Sequence, residues 1–284
     1  MYVRIIPRLD IKGPNLVKGI HFEGLRVLGK PEHFAKYYYE NGADELFYQD
    51  AVASLYGRNS LLDIIQKTSG EIFIPLCVGG GLRNVEDIRN VLRAGADKVA
   101  INTAAIKRPE LIKEASRTFG SSTIVVSIEA IKTENNEYEA YIDYGRERTG
   151  VNAIEWAQKA VEYGAGELMV TSIDKEGTGE GYDINLIKKI ATSVKVPVIA
   201  AGGCGQISHA VNVVKNGMAD AISLASILHY HALNDVKYLY DENDFEKEGN
   251  IEFVKSKGSF SKVSAASIKS IKASFTQQNI NCRT

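Results

Sequence analysis

Two glycine-rich turns in this sequence, Val78-Gly79-Gly80-Gly81 and Ala201-Gly202-Gly203, have the make-up of anion cradles, because backbone N–H groups with no side chain in the way can approach a phosphate closely. The apolar runs that follow them end in Asn102-Thr103 and in Ala225-Ser226, whose amides and hydroxyls can complete each cradle. Asp10 and Glu129 close two other apolar runs. One carboxylic acid and one carboxylate set between two phosphates could move protons during a ring closure or opening. Taken singly, glycines at a tight turn serve turn geometry, and an acid at a strand end caps the next helix. Recurrence of both features at matching places in the two halves of the chain favours a small ligand with a phosphate at each end. Lys18, Asp50, Thr171, Asp174 and Glu176 are expected on the same rim, in position to orient it.

These residues need strands that end together. Arg4 to Leu9, Glu45 to Tyr48, Ile72 to Val78, Lys98 to Ile101, Thr123 to Ile128, Leu168 to Ser172, Val198 to Ala201 and Ala221 to Ala225 read as eight buried strands. Helical stretches alternate with them: Pro31 to a closing Gly42, a helix from cap Asn84 with Asp87 three residues on, one from Pro109, then Asn152 to Tyr163, Asn185 to Thr192 and Ile207 to Asn216. The halves repeat. Asn41-Gly-Ala-Asp-Glu-Leu46 recurs as Tyr163-Gly-Ala-Gly-Glu-Leu168, and Pro75 to Gly81 recurs as Pro197 to Gly203. Four plus four strands in a twofold repeat predict a closed (β/α)8 TIM barrel, with catalysis at the C-terminal ends of its strands. We expect a single barrel domain over 1–284. Thr133 to Thr149 reads as a hairpin excursion after strand five, and about 233–266, rich in Lys, Ser and Glu, as an insertion after strand eight.

Arg4, Glu45, Lys98 and Glu167 each stand at the start of a strand, and period-two alternation turns Arg4 to the same side as Ile6, Arg8 and Asp10. Buried charges are costly unless paired, so this bottom ring is either a stability plug or a gated axial passage for a small molecule. The rest of the composition excludes more than it suggests. A net charge of −1 over 284 residues gives no broad reason to bind nucleic acid or a membrane surface. No run is long enough to cross a bilayer and the opening residues do not resemble a signal peptide, so a cytoplasmic location is expected. Three cysteines, Cys77, Cys204 and Cys282, lack metal-ligand spacing, and the five histidines offer one close pair, His229 and His231, at the end of strand eight. No metal and no cofactor is expected.

Together these residues resemble the cyclase subunit of imidazole glycerol phosphate synthase, a histidine-pathway barrel that works with a separate glutaminase. The likeness runs from Arg4 to about Tyr230 and resumes weakly from Ile268 to Arg283; Gly95 to Ala105 and Thr171-Ser-Ile-Asp174 with Gly177-Thr178 are its most specific segments. The resemblance implies Asp10 and Glu129 as the acid/base pair. It implies Gly80, Gly81, Asn102, Thr103, Gly202, Gly203, Ala225 and Ser226 as the phosphate ligands, and Arg4, Glu45, Lys98 and Glu167 as a gate through which ammonia crosses the barrel. The glutaminase would form a heterodimer with it at the N-terminal face. The implied reaction joins ammonia to a phosphoribulosyl-formimino carboxamide ribotide, closing an imidazole ring and releasing an aminoimidazole carboxamide ribotide.

Departures from the family pattern fall inside the site. Glu129 stands where the family has Asp, Arg8 replaces a small residue two positions before Asp10, and Glu176 and Ala201 occupy family Asp and Ser positions. These departures, with the insertion, leave two other readings: a divergent paralogue supporting ammonia-dependent amidine formation on a sugar for surface polysaccharide, and a non-catalytic scaffold that conducts ammonia for the glutaminase.

Overall fold

Short runs of β-branched and small apolar residues, each stopped by a glycine or a polar cap, leave the chain few ways to bury its strands except against one another. In the computed structural model, which describes residues 2–53, 61–235 and 262–283, they close into a barrel. The strands are β1 (Arg4–Lys12), β2 (Asn15–Ile20), β3 (Glu23–Gly29), β4 (Leu46–Asp50), β5 (Leu76–Gly79), β6 (Lys98–Ile101), β7 (Ile124–Lys132), β8 (Tyr138–Ile142), β9 (Glu147–Asn152), β10 (Glu167–Ser172), β11 (Val198–Ala201) and β12 (Ala221–Leu224). The order β10-β11-β12-β1-β4-β5-β6-β7 is parallel throughout, and pairing of β7 with β10, from Glu167 opposite Val125 to Ser172 opposite Ala130, closes the ring. This is the expected (β/α)8 barrel.

The helices between these strands are α1 (Pro31–Glu40), α2 (Leu62–Ser69), α3 (Val85–Arg93), α4 (Thr103–Lys107), α5 (Glu110–Phe119), α6 (Ala153–Glu162), α7 (Ile184–Ser193), α8 (Ile207–Lys215) and α9 (Ser226–Asp235), with α10 (Ile268–Gln277) near the C-terminus. Asn84 caps α3 by accepting from the Asp87 amide, as its spacing predicts, and Asn152 and Asp183 cap α6 and α7 in the same way. The repeated Gly-Ala-Asp segments staple helix to barrel. Gly42 and Gly95 adopt positive φ, 85° and 118°, and the aspartates two residues on, Asp44 and Asp97, accept from the backbone N–H of Ile5 and Leu76 at the start of a neighbouring strand.

Inward residues follow period two and stack in layers. At the bottom lie the charged residues Arg4, Glu45, Lys98 and Glu167. Above them Ile6, Phe47, Cys77, Ala100, Val125, Met169, Ile199 and Ala221 form a continuous apolar layer. Two positions further along each strand, the next layer turns polar at Arg8, Gln49, Ser127, Thr171 and Ser223, and Asp10 and Glu129 stand above it.

The structure corrects several expected details. β5 starts at Leu76 rather than Ile72, because Glu71 and Ile72 instead bond back to the Thr68 carbonyl in the turn after α2. β1 runs on to Lys12 and pairs antiparallel with β2, which pairs with β3; this first top-face hairpin was not anticipated. The excursion after strand five is the expected hairpin, β8 with β9. His229 and His231 lie within α9, not at a strand end, and His229 is spent on packing: its Nδ1 is 2.6 Å from the Tyr38 hydroxyl. The expected insertion at about 233–266 falls mostly on 236–261, which lie outside the described residues.

Candidate functional site

The barrel mouth is roofed by its two hairpins. Phe22, in the β2–β3 turn at φ 64°, stacks on Tyr144, in the β8–β9 turn at φ 60°, with ring centroids 4.3 Å apart. Gly145 is the one residue type that fits between them: a Cβ there would come within 2.9 Å of Phe22. Beneath this roof Asp10 and Glu129 are 2% and 3% exposed. Burial pushes the Glu129 carboxyl up to about 7; Arg8 opposes that shift, while the negative charge of Asp10 adds to it. Glu129 accepts from the Gly145 backbone, and its Oε2 has no partner. Asp10 accepts from Arg8 Nε at 2.9 Å. The two expected acids therefore share one buried, electrostatically coupled space with the Arg8 cation.

Two cavities flank this pair. The first, about 420 Å³, is lined by Asp50, Gly80, Gly81, Asn102, Thr103 and Glu129, with Arg83, Lys107 and Arg108 at its edge. Reading the sequence did not single out these three cations; they sit on the loop and helices just past the glycine turn and Asn102, where charge is ordinarily solvent-facing. Asn102 Nδ2 donates to the Tyr141 carbonyl at 3.2 Å and its Oδ1 is unpartnered, while Thr103 Oγ1 accepts from the Asp143 amide at 3.0 Å. Asp50 Oδ1 accepts from the Val52 amide at 3.0 Å, holding the turn after β4.

The second cavity is far smaller, about 20 Å³, and is lined by Arg8, Lys18, Glu176, Gly202, Gly203, Ser223, Ala225 and Ser226 among others. Lys18, delivered by the β2 hairpin strand, is buried in an ion pair with Glu176. Gly202 and Gly203 have φ of 88° and 101°, and a Cβ on Gly203 would stand 2.2 Å from the Gly181 carbonyl. Backbone crowding alone thus requires glycine here, whatever the turn binds. Thr171 Oγ1 accepts from Arg8 Nη1 at 3.4 Å, whereas Asp174 is exposed and accepts from the Lys132 amide at 2.9 Å.

At the opposite end the four charges form one ring of ion pairs. Arg4 reaches Glu45 at 2.8 Å and Glu167 at 3.1 Å, and Lys98 reaches Glu45 at 3.1 Å and Glu167 at 3.2 Å. Each charge has two opposite neighbours, which is the condition for holding such a layer half-buried.

A family model described as histidine biosynthesis protein matches residues 4–234. The chain is 55% identical over 205 residues to imidazole glycerol phosphate synthase subunit HisF of Legionella pneumophila, covering 72% of this chain and 97% of that one. It is 50% identical to the HisF subunit of Methanococcus vannielii (80% of this chain, 91% of that one) and 48% identical to that of Methanocaldococcus jannaschii (82% and 94%). The chain belongs to the HisF family.

HisF proteins are the cyclase subunits of imidazole glycerol phosphate synthase, so this chain falls among the enzymes of histidine biosynthesis. Neither the sugar-amidine reading nor the non-catalytic scaffold gains support from these relatives. Within this member, Arg8, Glu129 and Glu176 all lie in the buried charge network at the mouth: Arg8 pairs with Asp10, Lys18 pairs with Glu176, and the charges of Arg8 and Glu176 both act on Glu129.

Proposed function

We propose that this HisF-family barrel catalyses the cyclase reaction itself, converting a phosphoribulosyl-formimino carboxamide ribotide and ammonia to imidazole glycerol phosphate, an aminoimidazole carboxamide ribotide and one water, which carries off the oxygen displaced in the ring closure. The observation that carries the reading is the coupled pair Asp10 and Glu129, buried between two glycine-turn cavities. Asp10, oriented by Arg8, acts as the base, and Glu129, held near 7 by burial, acts as the acid that shares its proton at neutral pH. Gly80, Gly81, Asn102 and Thr103 hold one phosphate; Gly202, Gly203, Ala225 and Ser226 hold the other; Lys18, Asp50, Thr171 and Glu176 position the chain between them. Longer Glu129 is accommodated because its carboxylate is anchored by the Gly145 amide rather than left to rotate.

The bottom ring of Arg4, Glu45, Lys98 and Glu167 opens to pass ammonia into the apolar layer above, where a neutral molecule costs little to carry. A glutaminase subunit docks at this N-terminal face. Support comes from the large apolar side chains that stand exposed among the described residues: Tyr2 at 69%, Phe73 at 81% and Met218 at 51% all lie in segments leading into the bottom ends of β1, β5 and β12. The whole assembly works in the cytoplasm, and no helix among the described residues is long and apolar enough to cross a membrane. The direct test supplies purified chain with the ribotide and an ammonium salt. Release of the aminoimidazole product, absent in Asp10→Asn, is the expected result, and turnover no faster than the enzyme-free background would refute the proposal.

A further inference from the structure

We infer that Arg8 and Ser223 form an additional oxygen-binding subsite beneath the second glycine turn, taking a phosphoryl oxygen of the ligand held at Gly202, Gly203 and Ser226. The inference rests on the two-phosphate reading above and adds two residues to it. Arg8 is 3% exposed, with every ordinary escape to solvent closed. Nε is used on Asp10 and Nη1 on Thr171, and the guanidinium lies 5.4 Å from the ring of Phe22 and 5.9 Å from that of Phe47. Nη2 is buried and has no hydrogen-bond partner. Ser223 stands on the neighbouring strand, in register with Ile6, and its hydroxyl is also buried without a partner.

Arg8 and Ser223, the residues that carry these orphaned groups, line the same cavity together with Gly202, Gly203 and Ser226. Its volume of about 20 Å³ suits one oxygen atom more than a whole ligand group. Leaving a buried charged donor unsatisfied is unfavourable, and a guanidinium with two nitrogens fixed presents its third in one direction only. An oxyanion seated on the glycine turn above, with one oxygen directed down, satisfies both groups and brings cationic charge to the anion. It also couples ends of the reaction: the side chain that grips the phosphate through Nη2 orients Asp10 through Nε.

The test titrates the full chain with inorganic phosphate and follows the backbone amides of Gly80, Gly81, Gly202 and Gly203 by two-dimensional NMR. In the native protein both pairs respond. In Arg8→Met and Ser223→Val, affinity at Gly202 and Gly203 falls about tenfold to a hundredfold, while that at Gly80 and Gly81 stays within twofold. Ser223→Val leaves the Arg8–Asp10 pair intact and fills the cavity, so it reports even if Arg8→Met fails to fold. In the ammonium-dependent assay Ser223→Val should raise KM by a similar factor with a smaller change in kcat. If both pairs titrate in the variants as in the native protein, the subsite holds only a water and the inference is overturned while the two-phosphate reading stands. If the native protein responds at neither pair, both fall together.

Discussion

Glu129 makes the site costly to keep folded at high pH, and the size of that cost follows from its burial. Its carboxyl titrates near 7 in the folded chain against an ordinary value of 4.5, so between those limits the folded state binds more protons than the unfolded one. Stability associated with this group is therefore fully present below 4.5, is lost as pH rises through about 7, and is constant above. At about 1.4 kcal/mol per pH unit, the interval amounts to about 3 kcal/mol. Glu129→Gln removes the titration. The amide can still accept from Gly145; its nitrogen, placed where Oε2 lacks a partner, gains no bond, but that penalty is the same at every pH and cancels from the comparison. Urea unfolding of both proteins at pH 5 and pH 8, a window that begins half a unit above the unfolded value, should show the native protein losing about 2–3 kcal/mol more than Glu129→Gln. Activity should move the other way, falling about a hundredfold or more in Glu129→Gln if the group transfers a proton. Parallel pH profiles of stability for the two proteins would refute the argument that burial dominates at this position.

Other substitutions test separate parts of the architecture. Lys18→Met leaves Glu176 buried without its cation and should cost about 3–5 kcal/mol by urea unfolding; the double change with Glu176→Gln should recover much of it. Lys98→Met leaves Glu45 with Arg4 as its one remaining partner in the ring, costing about 1–3 kcal/mol, and should alter glutamine-supported turnover without a matching change in ammonium-supported turnover if the ring gates ammonia. Equal changes in both would argue for a plug. Phe73→Glu, at a side chain 81% exposed, should leave the isolated barrel within about 0.5 kcal/mol of native stability yet weaken glutaminase association by about tenfold or more in a calorimetric titration. Unchanged association would move the docking surface away from the loop into β5.

Much of this protein could be read from its sequence because the signals are local and repeated. The eight parallel strands declare themselves as apolar runs, Asn84 with Asp87 as a cap, and the two glycine turns as positions that tolerate no Cβ: period, capping and backbone sterics act over a few residues. The bottom ring was legible for the same reason, since β1, β6 and β10 each start on a charge, Glu45 immediately precedes β4, and alternation turns those charges inward. Spacing along the chain does not carry the distances between elements. That Lys18 leaves its hairpin to neutralise Glu176, that Phe22 and Tyr144 meet across the mouth, that Glu129 is buried and its pKa raised, and that Arg8 and Ser223 line one small cavity are results of closure, which brings residues more than a hundred positions apart into contact. Local pattern specified which residues face inward; only the packed barrel decided which of them share a charge, a proton or a ligand, because desolvation and Coulomb energy depend on final distance and burial.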